Sequence, residues 1–177
     1  MINISRLAAF GAVLTSFAVA APAIAAPTPA TPKAVAKAQI VKPIVFKKMD
    51  DLNFGTIVMQ TMTGNSSVAI GKVAASVAVC GANLTCSGAS QPARYNVRAS
   101  PSQPLTVRSA LSKLSLVGSV SSPVETIDFT PDAPASITVP NASVAGFDFH
   151  VGGSIVVTPT TAEGMYSGEM DVTLDYN

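Results

Sequence analysis

The chain has 177 residues, with 11 Lys and Arg against 10 Asp and Glu, a formal net charge of +1. So even a balance excludes a phosphate-backbone binder, which needs a strong basic excess. Only 6% of residues are aromatic and none is Trp, so an apolar content of 48% rests on Val, Ala, Ile and Leu, enough for one domain with a real core.

Residues Met1 to Ala25 read as a secretory signal peptide. Arg6 gives a positive start, Leu7 to Ala20 an apolar run, Pro22 a helix break and Ala23-Ile24-Ala25 a small-x-small cleavage site. The run is too short to span a bilayer comfortably and no second one follows. The expectation is an exported protein of the periplasm, cell surface or medium, with no stable membrane span after cleavage. Residues 26–33, "APTPATPK", read as an extended Pro-rich linker.

A single domain is expected over residues 34–177. It opens with an arm, Ala34 to Lys42, that alternates and is compatible with a strand. Pro43 cannot donate to a ladder, so it separates the arm from a second piece, Ile44 to Lys48. After the turn "MDD" comes Leu52 to Val58, with a bend or bulge at Gly55. Further strands are expected at Ser67 to Ile70, Ser76 to Cys80, Ala93 to Ala99, Leu105 to Ser109, Thr126 to Thr130, Ser136 to Val139, Gly146 to Val151 and Ser154 to Thr158. "VGGS" at 151–154 reads as the hairpin turn between the last two, and "LSKLSLVGS" as a helical turn or another strand.

The final stretch, Tyr166 to Tyr176, obeys period two throughout. Tyr166, Gly168, Met170, Val172, Leu174 and Tyr176 form one row; Glu169, Asp171 and Asp175 lie on the other, as in a strand with one face buried and one wet. Gly168 within the apolar row implies close approach of another backbone or a bulge. Many short strands with 12 Gly and 13 Pro indicate an all-β fold, an immunoglobulin-like or pilin-like β-sandwich with an extended N-terminal arm.

Catalytic groups are sparse. His150 is the only histidine, so it reads as a surface or strand-end residue rather than a general base or metal ligand. Asp50-Asp51 reads as a solvated bend rather than a cation site. No dinucleotide fingerprint, zinc spacing or G-x-S-x-G occurs, and no catalytic residue, metal, cofactor or nucleic-acid partner is expected. Sequons at Asn65, Asn83 and Asn141 read as ordinary loop residues. Cys80 and Cys86 are expected to form a disulfide, since export places them in an oxidising compartment. Loop entropy gives about 2.4 kcal/mol for so short a loop.

The charges are unevenly placed. Lys33, Lys37, Lys42, Lys47 and Lys48 cluster at the start; from Asp148 onward stand Asp148, Glu163, Glu169, Asp171 and Asp175 with no Lys or Arg. Either these are solvated faces, or the arm lies beside the last strand, within one chain or between chains.

"LNFGTIV", "ARYNV", "VGGSIVV" and "GMYSGEMDVTLDY" together resemble a bacterial secreted domain of unknown function, family forty-four zero-two, over Ala36 to Tyr176. The family is similar in outline to fimbrial subunits and spore-coat-protein-U-like domains. The ending also resembles the C-terminal motif of chaperone–usher pilins: a penultimate Tyr176, alternating Met170, Val172 and Leu174, and Gly164 fourteenth from the end. It departs from them in the small loop that its cysteines close. The resemblance implies a non-enzymatic structural or adhesive subunit whose partners are copies of itself, head to tail, or related subunits, with a periplasmic chaperone as a transient partner. In that arrangement the arm, through Ala34, Ala36, Ala38 and Ile40, pairs with the last strand of a neighbour. The alternative is a monomeric, self-complemented sandwich that binds a surface or carbohydrate ligand.

Overall fold

The structure is a computed structural model that describes residues 31–110, 112–121, 123–140 and 145–177. The expected leader, the linker up to residue 30 and the Asn141 sequon lie outside the described residues. The chain divides into two units, Met1–Ala38 and Gln39–Asn177. In the first, residues 31–38 carry no strand and are all exposed. Every strand belongs to the second.

The strands are β1 (Val45–Asp50), β2 (Thr56–Met59), β3 (Ser66–Ile70), β4 (Val79–Cys80), β5 (Leu84–Ser87), β6 (Ala93–Arg98), β7 (Pro104–Ser109), β8 (Ser112–Leu116), β9 (Thr126–Asp132), β10 (Ser136–Thr138), β11 (Phe147–Val157), β12 (Tyr166–Ser167) and β13 (Val172–Tyr176). All pairings are antiparallel: β1-β6-β11-β9-β8-β12, with β3 also on β11 and β4 on β3; β10-β7-β13; and β2-β5. The fold is an all-β sandwich.

Strand periodicity produces the core directly. In β6, Ala93, Tyr95 and Val97 are buried while Arg94 and Asn96 between them are half-exposed, because successive side chains point to opposite faces. Two clusters result. The first joins Tyr95, Val97, Leu105, Val107, Ile137, Phe149 and Val151, with β1-β6 and the first half of β11 facing β10-β7-β13. Phe46, Tyr95 and Phe149 stack across three neighbouring strands at centroid distances of 5.1, 5.6 and 5.9 Å. The second cluster joins Val68, Leu84, Ile127, Phe129, Ile155 and Val157, with β3, β9 and the second half of β11 facing β2-β5. The Cys80–Cys86 disulfide links β4 to β5 and so ties the second pair of layers together.

Three expectations are corrected. "VGGS" is no hairpin turn: it sits inside β11, the longest strand. Its glycines answer to crowding. A Cβ at Gly152 would overlap the Ile70 carbonyl oxygen, and one at Gly153 would overlap the Phe129 ring. The expected Tyr166–Tyr176 strand is two strands in two sheets: Tyr166 pairs with Leu116 of β8, whereas Val172 to Tyr176 pair with β7. Burial alternates only from Met170 onward, since Ser167, Gly168 and Glu169 are all exposed at the break, and Met170 packs against both clusters at the crossover. Gly168 does make a close approach, since a Cβ there would lie 2.6 Å from the Lys113 carbonyl oxygen. Finally, Ser76–Cys80 is a strand only at Val79–Cys80. Within the ambiguous "LSKLSLVGS", Ser112–Leu116 forms β8.

Candidate functional site

The two ends of the folded unit supply the outermost strands of the first cluster. β1 pairs only with β6, and β13 only with β7, among the described residues. Their inward side chains are incompletely covered. Leu174 and Tyr176 are half-buried, whereas their register partners Val107 and Leu105 on β7 are 7% and 0% exposed. Phe46 on β1 is likewise half-buried, although its partner Val97 is fully buried. Burial falls by a full step from one strand to the next, as expected where a strand has a neighbour on one side only.

The lips of this open seam differ in charge. β1 carries Lys47 and Lys48; the last stretch carries Glu169, Asp171 and Asp175, all exposed. The Lys48 ammonium is held above its ordinary pKa mainly by its hydrogen bond to Asp51 at 2.5 Å, with smaller contributions from Tyr95 and Glu169. Burial pushes the Tyr95 phenol up, and nearby Lys48 opposes it.

One end of the seam is fastened by Tyr176. Its hydroxyl donates to the Lys42 carbonyl at 2.6 Å and accepts from the Ser100 amide at 2.8 Å. The Lys42 amide donates in turn to the Ser100 hydroxyl at 2.6 Å, and the Gln39 side chain reaches Gln103 at 2.5 Å. Residues 39–42 are therefore held to the connection between β6 and β7 through Gln39 and Lys42, and they make no ladder with β13.

Of the residues singled out in the sequence, Ala34, Ala36 and Ala38 are exposed and outside any strand, and Ile40 is 95% exposed. Gly164 takes a φ of +146°, and a Cβ there would overlap the Leu116 side chain. Tyr166 packs on the second cluster and donates to the Ala162 carbonyl at 2.9 Å. Asp50 and Asp51 serve different cations: Asp50 pairs with Arg94 at 2.6 Å and Asp51 with Lys48. His150 lies half-buried on the outer face of β11, opposite Arg94. Ser100 and Arg94 were not foreseen. An isolated serine in a connection carries no periodic signal, and an arginine on a strand's wet face looks like any solvated charge.

A family profile described as "Domain of unknown function (DUF4402)" matches residues 44–176. No curated protein matches the chain, and no solved structure does. The matched span runs from the residue after Pro43 to Tyr176, so it takes in both lips of the seam and leaves out the arm. The chain belongs to the DUF4402 family.

Proposed function

We propose that the protein is a non-enzymatic structural or adhesive subunit of an exported, fimbria-like surface assembly, in which the arm of one copy (residues 34–42) adds as a strand to β13 of the next. The half-buried inward row of β13, beside a backbone edge that pairs with no strand among the described residues, carries this reading. An edge of that kind is a template for strand addition. An added strand covers Val172, Leu174 and Tyr176, and pairs backbone groups at roughly 0.5–1.5 kcal/mol per hydrogen bond. Ala34, Ala36 and Ala38 bury little area, so those backbone bonds and Ile40 supply most of the gain. Lys33, Lys37 and Lys42 set against Glu169, Asp171 and Asp175 orient the strand more than they tighten it. A head-to-tail contact of this type does not close, and so builds a filament. A periplasmic chaperone would be a temporary occupant of the same edge.

Tyr176 holding the Lys42 carbonyl favours a second reading: the arm's root already lies at the seam of its own chain. A monomer that closes its own seam is the alternative. A variant lacking residues 26–42, titrated with a peptide of residues 34–45, tests both. Stabilisation by a peptide at about a hundred times its Kd is about 2.7 kcal/mol. A truncated variant as stable and monomeric as the parent, with no rise in melting temperature on adding peptide, sinks strand addition in either form. Polymerisation of the full chain at high concentration, lost on truncation, selects the filament.

A further inference from the structure

On the outer face of β1-β6-β11, away from the first cluster, lies a concave pocket of about 240 Å³ lined by Asp50, Ala74, Gln91, Pro92, Arg94 and His150. Register explains its floor. Asp50 pairs with Arg94, and Arg94 with His150, so three polar side chains stand in one row across three strands. Ala74 forms a wall from the connection between β3 and β4, which is tied down by Lys72 to Asp132 at 2.7 Å and by a Ser76–Val73 backbone turn.

Arg94 is pinned. Its Nε donates to Asp50 at 2.6 Å and its Nη1 to Asp148 at 3.3 Å; Asp148 also accepts from Asn96 at 2.5 Å. The Gln91 amide nitrogen donates to the Asp51 carbonyl at 3.3 Å, which leaves its oxygen as an acceptor. The His150 imidazole has no hydrogen-bond partner among the described residues. A neutral imidazole supplies one donor and one acceptor.

Charge narrows the ligand. An anion would meet the Asp50 carboxylate, beside a guanidinium already paired with Asp50 and Asp148. A metal ion would meet that guanidinium at the centre of the floor. A purely apolar ligand would cover the His150 imidazole and the Gln91 side-chain oxygen without giving either a partner, at a cost for each. What remains is a neutral molecule whose neighbouring groups each donate and accept, with a small apolar face for Pro92 and Ala74. We propose that this pocket binds one pyranose unit, its vicinal hydroxyls shared between Asp50, Gln91, Arg94 and His150. The site lies on the face of β1 turned away from the first cluster, and it does not rest on strand addition.

The test is to titrate the isotope-labelled intact protein with glucose, galactose, mannose and N-acetylglucosamine and follow backbone amide shifts. At least one sugar is expected to give saturable shifts confined to Ala74, Gln91, Arg94, His150 and their neighbours, with Kd in roughly the millimolar range. Gln91→Ala and His150→Ala should each weaken that binding about tenfold with an unchanged melting temperature, as loss of one or two shared hydrogen bonds requires. His150→Asn, which keeps a donor and an acceptor, should restore part of it. The proposal is overturned if no sugar gives saturable shifts, if the shifts lie elsewhere, if the alanine variants bind as the parent does, or if acetate, phosphate or calcium occupies the same residues more tightly.

Discussion

The two core clusters are built from the same central strand and closed in different ways. The second is stapled: Cys80–Cys86 joins its layers, and Phe54 meets Phe129 edge-on at 6.2 Å. The first has three stacked rings at its centre but no covalent link, and its outer strands are only half covered. A closed half gives rigidity, and an open half gives an edge that can change partner. Segments that bind or exchange come from the less protected parts of a fold, which is why the proposed strand addition is set at the edge of the first cluster.

The largest effect should come from breaking the strand common to both. Gly152→Val places side-chain atoms on the Ile70 carbonyl and the Gly71 backbone, which cannot move aside as a flexible side chain does. The expected loss is about 4 kcal/mol or more, enough to leave little folded protein. Gly64→Ala, at a glycine with nothing within 4 Å of the added atom, should be close to neutral. Denaturant melts of both variants decide whether β11 is a shared spine.

Next in size is a pair that compares neighbouring strands directly. Leu105→Ala, at a fully buried site on β7, should cost about 2–5 kcal/mol. Leu174→Ala, half-buried on β13, should cost about 1 kcal/mol in the isolated protein. With the arm peptide bound, its cost should rise toward that of a buried leucine. Equal costs for the two in the isolated protein would mean that the seam is already closed.

Removing the staple ranks third. Cys80→Ala with Cys86→Ala should lower stability by about 2.4 kcal/mol. Hydrogen exchange should quicken in β4, β5 and the second cluster first, and peptide binding at β13 should survive. Loss of peptide binding along with the disulfide would show that the two halves are not separable.

The sequence shows this division only in part. Alternation made β6, β7 and β9 legible to within two residues, because burial on one face imposes period two on the side chains. It concealed the break between β12 and β13. The residue types alternate straight through 166–176 although Ser167, Gly168 and Glu169 are all exposed, and nothing in the pattern says which sheet a residue pairs with. "VGGS" misled for a related reason: a glycine pair is the same letters whether it permits a turn or the approach of Ile70 and Phe129. β5 escaped notice since "LTCS" is short and sits within the cysteine loop. At the site, the acidic row and the penultimate aromatic were readable, but the use of the Tyr176 hydroxyl was not. Its partners Lys42 and Ser100 are far away in sequence and meet it only once β1, β6 and β13 converge.

The smallest effect tests that hydroxyl. Tyr176→Phe keeps the ring on the first cluster and deletes one oxygen that bonds both the Lys42 carbonyl and the Ser100 amide. Both backbone groups lie near the surface, so water replaces the lost partner and the cost should be about 1 kcal/mol or less. The informative readout is local. The Ser100 amide should exchange faster, and residues 39–44 should loosen while β7 is unaffected. If the hydroxyl anchors the arm's root, freeing it changes how readily the arm reaches another chain, so the variant should alter the rate of self-association more than the melting temperature. An unchanged exchange rate at Ser100 together with unchanged association would reduce Tyr176 to a core aromatic and remove the link between the end of the chain and its arm.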